Sequence, residues 1–212
     1  MAMIKMVGLM KRRADLTHEQ FSQYWLVKHA PLALKLPGIR RYAQNLVIGG
    51  TPGYDGSPET WWDDTAALKA AIGSPIMAEC NKDEQLFTSE IGGLVVVERP
   101  ILEGQPDERK AIIKRMAFLK RKEGLTREQF SEHWLTKHAP LALKLPGLRR
   151  YVQSVALGSK SDYDGVAETW WDDVESMDKA FQSPIIPEIR ADEKEFLGSV
   201  MSVAYVQRWI LP

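Results

Sequence analysis

Residues 3–10 are apolar except for Lys5 and alternate loosely, the pattern of a strand with one covered face. A polar gap follows, and then Phe21, Trp25, Leu32 and Leu36 recur at helical spacing. Thr17-His18-Glu19-Gln20 opens this stretch as a capping box, the hydroxyl answering an orphan amide while Gln20 reaches back. Pro37-Gly38 ends it. Pro31, inside the run, removes one helix hydrogen bond and crowds the carbonyl of Val27, which predicts a kink or restart beside His29. Residues 39–48 and 59–64 read as strands joined by a Gly/Pro-rich loop around Tyr54-Asp55-Gly56. A second helical stretch over 65–88 is interrupted near Gly73-Ser74-Pro75, and 94–97 closes the set as a fourth strand. The order β-α-β-β-α-β is a split βαβ, ferredoxin-like layout with both helices on one face of an antiparallel sheet.

The whole pattern then returns. His29-Ala30-Pro31-Leu32-Ala33-Leu34-Lys35-Leu36-Pro37-Gly38 recurs 109 residues later as His138-Ala139-Pro140-Leu141-Ala142-Leu143-Lys144-Leu145-Pro146-Gly147. The same offset carries Glu59-Thr60-Trp61-Trp62-Asp63-Asp64 onto Glu168-Thr169-Trp170-Trp171-Asp172-Asp173, and Tyr54-Asp55-Gly56 onto Tyr163-Asp164-Gly165. The expected organisation is therefore a first module over 1–100, a linker over 101–110 with Gly104 and Pro106, and a second module over 111–212. Each four-stranded sheet has one face without helices, and the twin module can cover it. The expected fold class is α+β: two ferredoxin-like βαββαβ modules forming an intramolecular pseudo-dimeric α+β barrel.

Charge narrows the partner. The chain of 212 residues has 28 basic and 28 acidic side chains, with no long block of either sign. That is not the footprint of a nucleic-acid or anionic-membrane binder, and it points to a small molecule or another copy of the chain. Cys80 is the single cysteine, so no intramolecular disulfide or cysteine-based zinc cluster can form. The N-terminal order of charges is wrong for a secretory signal, and no run approaches about twenty apolar residues. The expectation is a soluble, cytoplasmic protein, with room for a homodimer of the pseudo-dimer.

His29 and His138 are the leading chemical candidates, since histidine is the natural acid/base near neutral pH. Each follows a tryptophan by four residues, Trp25 or Trp134, so that the two side chains share a helix face and the indole shields the imidazole. The structural alternative is a histidine bonded to backbone beside the proline. Period-two alternation groups Arg40, Tyr42 and Gln44 on one strand face, as it does Arg149, Tyr151 and Gln153. A guanidinium, a phenol and an amide in line can hold a carboxylate and donate to a developing enolate; a polar face forming ion pairs is the bland counterpart. Which sheet face meets the helices is left open. Trp61-Trp62 and Trp170-Trp171 must point to opposite faces, mostly as core. Asp63-Asp64 and Asp172-Asp173 likewise cannot share a site, and read as a strand end and a helix N-cap. His133 and His138 are five apart, about 140° around a helix, so no metal site is expected.

The stretches Leu125-Thr126-Arg127-Glu128-Gln129-Phe130, Trp134 to Pro140 and Leu145-Pro146-Gly147-Leu148-Arg149-Arg150-Tyr151 resemble the EthD family of dimeric α+β barrel proteins, over essentially all of each repeat, including the Asp192-Glu193…Phe196 stretch. Family members generally pair as two separate chains, so this chain looks like a fused version. The resemblance implies breakdown of ethers and aromatics, or isomerisation of muconolactones, or dehydration and cyclisation of polyketides, mostly without metal or organic cofactor. In the methylmuconolactone isomerase branch it implies a helix histidine and a tyrosine thirteen residues later, matched by His29 with Tyr42 and His138 with Tyr151. That branch also uses a cysteine. Cys80 has no counterpart there, and its repeat partner is Ile189.

The resulting expectation is a cofactor-independent isomerase or lyase (dehydratase) acting on a small aromatic, lactone or polyketide-like acid. His29 and His138 would move a proton, with Tyr42 and Tyr151 as donors. Arg40, Arg149, Gln44, Gln153, Trp25 and Trp134 would hold the substrate. A binding protein for a small hydrophobic ligand, and a haem-using or quinone-forming monooxygenase on the same barrel, are the alternatives.

Overall fold

The computed structural model describes residues 3–50, 53–104, 112–158 and 161–212. In the first repeat, β1 (Ile4–Arg12) leads through the capping box at Thr17 to α1 (His18–Tyr24). A π-helical turn over Trp25–His29 follows, and then α2 (Ala30–Ala33), with Pro31 in its first turn. The restart expected from Pro31 takes this form: the widened turn absorbs the missing amide, and the proline sits where no helix donor is needed. Gly38, at φ 82, turns the chain into β2 (Ile39–Gly50). Next come β3 (Gly56–Trp62), α3 (Thr65–Ile72), α4 (Pro75–Glu84) and β4 (Thr88–Leu102). Asp64 and Ser74 cap α3 and α4 through bonds to the amides of Ala67 and Met77.

The second repeat supplies β5 (Ile112–Arg121), α5 (Arg127–His133), a π-helical turn over Trp134–His138, and α6 (Ala139–Ala142). It continues with β6 (Arg150–Ala156), β7 (Gly165–Trp171), α7 (Val174–Ala180), α8 (Ile186–Phe196) and β8 (Leu197–Leu211). The strands are hydrogen-bonded in the order β1-β3-β2-β8-β5-β7-β6-β4 and close into a barrel, the α+β class expected from the repeat.

Two boundaries depart from the sequence reading. β4 begins at Thr88 rather than near 94, and it runs to Leu102. Its first half pairs with β1 as Gly8 to Gly93 and Leu9 to Gly92, and a Cβ on Gly93 would lie 2.5 Å from the Val7 carbonyl. Such a stretch is built by backbone approach, so it carries no side-chain alternation to read. Of the expected linker, Ile101 and Leu102 belong to β4, and 105–110 lie outside the described residues.

Contacts divide the chain into two compact units, Met1–Val47 with Pro52–Val97 and Gln207–Pro212, and Ile48–Thr51 with Glu98–Val206. The end of β8 thus belongs to the unit of the first repeat, and the end of β4 to the unit of the second. In the first unit β1 pairs with β3 and β4, and β3 with β2, all antiparallel. One sheet face packs Ile4, Tyr42 and Trp62 against Ala30, Ala33, Leu36, Leu68, Ala71 and Cys80 of the helical layer. The other carries Lys5, Asn45, Glu59 and Trp61. Here Lys5 meets Glu59 at 2.9 Å, both fully buried, and Asn45 and Gln207 donate to the other Glu59 oxygen at 2.9 and 3.2 Å. In the second unit Lys114 meets Glu168 at 2.7 Å, again fully buried. Tryptophan pairs split across the sheet as strand geometry requires: Trp62 and Trp171 join the helix-side cores, while Lys5 and Lys114 lie over the rings of Trp61 and Trp170.

Candidate functional site

The histidines stand at the C-terminal residue of each π-helical turn and are 5% and 8% exposed, His29 and His138 respectively. Each ring packs against a phenylalanine at 5.1 Å between centroids, Phe87 or Phe196. Each Nδ1 lies 2.8 Å from an aspartate oxygen, Asp83 Oδ2 or Asp192 Oδ2. A carboxylate only accepts, so Nδ1 carries a proton, and in the neutral ring the lone pair is on Nε2. The aspartate is held from its other oxygen as well. Tyr24 donates to Asp83 Oδ1 at 2.8 Å, and His133 Nε2 donates to Asp192 Oδ1 at 2.7 Å. Residues that differ between the repeats therefore do the same work. Burial pulls the His29 pKa down against the pull of Asp83, which keeps the imidazole neutral as a base requires. Burial beside Asp83 pushes the Tyr24 phenol up to about 12.

The other nitrogen of His29 faces a second carboxylate. Glu84 Oε1 lies 3.7 Å from Nε2, too long for a hydrogen bond. Burial, and the negative charge of Asp83 next to it, push the Glu84 carboxyl up to about 7.

Tyr42 and Tyr151 point to the helix side of the sheet and are 1% exposed. Trp25 Nε1 donates to the Tyr42 hydroxyl at 2.9 Å and Gln44 Nε2 donates to it at 3.1 Å. In the second unit Trp134 and Gln153 do the same for Tyr151, at 3.0 and 3.1 Å. The amide orientation is set from both ends. Gln44 Nε2 also donates to the Trp25 carbonyl at 3.1 Å, and its Oε1 accepts from Arg208 at 2.6 Å. Gln153 donates to the Trp134 carbonyl at 2.8 Å and accepts from Arg99. With both lone pairs of the phenol occupied, its own O–H is directed away from the indole and the amide. Burial raises both phenols, Tyr151 to about 12, against the lowering effect of these two donors. They remain neutral hydrogen-bond donors.

Trp25 and Trp134 reach these hydroxyls because Gly56 and Gly165 make room. A Cβ at either glycine would lie 2.7 Å from the indole ring. This explains the glycine of the Tyr-Asp-Gly motif. Its aspartate serves elsewhere, Asp55 accepting from the Arg12 amide and Nε at 2.9 and 3.0 Å.

Arg40 and Arg149, expected beside the tyrosines, are placed elsewhere. Both are exposed, and they pair with Asp63 and Asp172. A register shift between Ile39 and Arg41 breaks the alternation ahead of Tyr42, and β6 begins only at Arg150. The guanidinium next to each tyrosine instead comes from Arg208 or Arg99, which are themselves 109 residues apart. Sequence reasoning quoted Asp192 only within the family resemblance, without a role, and passed over Asp83, Glu84 and these two arginines. The Asp-Glu pair does recur at the repeat offset, but on a helix it looks like any solvated acidic face. Arg99 lies beside the expected linker. Cys80 is buried at the helix–sheet contact, where burial and nearby carboxylates push its thiol up to about 11.

An eight-stranded α+β barrel whose two repeats each hold a buried histidine bonded to a half-buried aspartate, and a clamped tyrosine, defines the class of this protein. The chain belongs to the EthD domain family, whose profile matches it twice, at residues 13–90 and 122–199. Among solved structures, an anthrone oxidase-like protein aligns with a TM-score of 0.72 at 12% identity, over 99% of this chain and 94% of that one. A protein of Fusobacterium nucleatum provisionally assigned as a monooxygenase aligns at 0.68 and 7% identity, over 98% and 94%. One of Lactobacillus acidophilus with the same provisional assignment aligns at 0.61 and 11%, over 99% and 96%. At these identities the likeness is one of fold. Among curated proteins none matches the chain. Among the described residues, no helix is long and apolar enough to cross a membrane.

Proposed function

We propose that this protein is an acid–base enzyme that moves a proton next to a carbonyl group of a small aromatic, lactone or polyketide-like acid, without a cofactor. The observation that carries the reading is the 2.8 Å bond from His Nδ1 to a doubly held aspartate, present in both repeats. It orients each imidazole, fixes the tautomer with a free Nε2, and stabilises the imidazolium once the proton has arrived. The O–H of Tyr42 or Tyr151 donates to the carbonyl oxygen as enolate character develops, which suits a phenol kept neutral by burial. Isomerisation and dehydration share this step.

Proton abstraction can be read without knowing the product. A β,γ-unsaturated γ-lactone, anthrone and an aromatic β-keto acid in D2O report it as deuterium entering the activated C–H position, followed by NMR. Wild-type protein accelerates the exchange, and the double variant His29→Ala, His138→Ala loses about 10²–10⁴-fold, the usual share of a general base. Equal exchange in the two proteins removes the reading, and saturable binding without exchange leaves a ligand-binding protein in its place.

A second reading is oxygen addition to an electron-rich ring, favoured by the names of the fold neighbours, an anthrone oxidase-like protein among them. It begins with the same proton abstraction. Oxygen uptake with anthrone, absent from the lactone reaction, separates the two.

A further inference from the structure

The His29 ring is bracketed by carboxylates on both nitrogens: Asp83 bonds Nδ1 at 2.8 Å, and Glu84 Oε1 stands 3.7 Å from Nε2. The second distance leaves Nε2 and Oε1 unbonded to one another, yet near enough for one small group of a substrate to meet both. Other groups act on the same place. Tyr42 on β2 and Cys80 on α4 both feel the charge of Glu84, and Asp83 adjoins it on α4. Among the described residues, Arg40, Arg12 and Arg13 are paired with Asp63, Asp55 and Asp15, and Arg208 is spent on Gln44.

The second repeat differs at this point. Arg115 stands where the first repeat has Met6, and its guanidinium lies 4.2 Å over the Phe181 ring and donates to Ser202 at 2.7 Å. Glu193, the counterpart of Glu84, supports the charge of Arg115 against its burial, which draws that guanidinium down to about 10. Glu84 has an apolar methionine at that position, and its burial and the charge of the adjoining Asp83 favour its protonated form.

We propose that Glu84 is a catalytic acid of the first repeat, acting with His29 as a two-group proton-transfer pair that the second repeat lacks. This rests on the acid–base reading above. In the forward step the His29 Nε2 lone pair takes a proton from carbon, and the C–H electron pair moves into the substrate's conjugated system. The Glu84 carboxyl gives its proton to the other end of that system. Neutral imidazole and carboxylic acid become imidazolium and carboxylate, and return of one proton from Nε2 to Oε1 resets the pair with no net gain or loss. A proton shift within one substrate, such as conjugation of an unsaturated lactone, matches this balance.

The test uses the full chain carrying His138→Ala, so that turnover reports the first repeat, with the same three carbon acids as probes. Carboxyl 13C NMR is followed against pH in this protein and with Glu84→Gln added. The expected result is one carboxyl titrating near pH 7 that disappears in the Glu84→Gln protein. Lactone isomerisation then falls about 10²-fold or more and loses its limb at that pH. Three results overturn the proposal: no carboxyl titrating above about pH 6, a titrating signal that survives Glu84→Gln, or unchanged isomerisation in that variant. Adding His29→Ala separates the two levels. If it abolishes turnover while Glu84→Gln does not, Glu84 alone fails. If it leaves turnover intact, or if the parent moves no proton on any probe, the acid–base reading fails with it.

Discussion

His29 Nδ1 and the Asp83 carboxylate lie 2.8 Å apart across 54 residues of sequence, and His138 and Asp192 repeat the relationship at the same distance and separation. Two copies that differ at many other positions have kept a bond that packing alone does not require. The aspartate is fixed by different donors in the two, Tyr24 in one and His133 in the other.

Replacing these aspartates by asparagine keeps the shape and removes the charge. Asp83→Asn with Asp192→Asn no longer specifies which imidazole nitrogen bears the proton, and no longer offsets the imidazolium. Deuterium exchange into the lactone is expected to fall about 10²–10⁴-fold, while far-UV circular dichroism stays as in wild type.

Tyr42→Phe leaves the indole N–H of Trp25 and the amide of Gln44 without their shared acceptor in a buried place. The expected loss is about 1–3 kcal/mol of stability, read from urea unfolding. Exchange drops as well, because the donor to the carbonyl is gone.

Arg208 is tied to Tyr42 through Gln44, whose Oε1 it donates to. With Arg208→Ala the amide is held from the Trp25 carbonyl alone, and one of the two donors to the phenol is less firmly placed. Turnover should fall while Arg208→Lys restores part of it; a purely structural arginine would change the urea midpoint and leave the rate per folded molecule alone.

Lys5→Met takes the cation away from the fully buried Glu59 carboxylate, which Asn45 and Gln207 also bond. Breaking a buried pair from one side costs about 3–5 kcal/mol, and Lys114→Met should do the same through Glu168. Both are measurable as shifts in denaturant midpoint at pH 7.

The pH dependence of stability carries two opposed contributions from the first repeat. His29 is held below its ordinary value of about 6.5, so the unfolded chain binds that proton more readily. Its favourable contribution is complete above pH 6.5 and is lost as pH falls through the lowered value. Glu84 is raised from 4.5 to about 7, so its contribution is complete below pH 4.5 and is lost as pH rises through 7. Glu84→Gln removes the second slope alone. Measured by urea unfolding, the variant should gain on wild type steadily between pH 4.5 and 7 and then level off.

Much of this molecule is written in local pattern. The capping boxes at Thr17 and Thr126, the interruption at Pro31, the opposite faces of Trp61 and Trp62, and the N-cap at Asp64 depend on neighbours within a few residues, and all are legible from the chain. The 109-residue repeat extends that local reading to a whole architecture. The sites of His29 and His138 were also visible, since a histidine after a tryptophan and before a proline is a local signature.

The partners of those histidines were not. Asp83 and Glu84 sit on α4 with nothing in their spacing to separate them from a solvated face, and only the packing of α4 against the π-helical turn brings them to the two sides of His29. Arg40 shows the converse: alternation placed it beside Tyr42, and a one-residue irregularity in pairing put it in solvent. Arg208 reaches Gln44 across 164 residues. Side-chain periodicity is a property of one element, so sequence alone determined what each element is and which way most of it faces. Which charges meet, how deeply they are buried and hence what they do to protons depend on how elements pack, and that was decided by the tertiary structure.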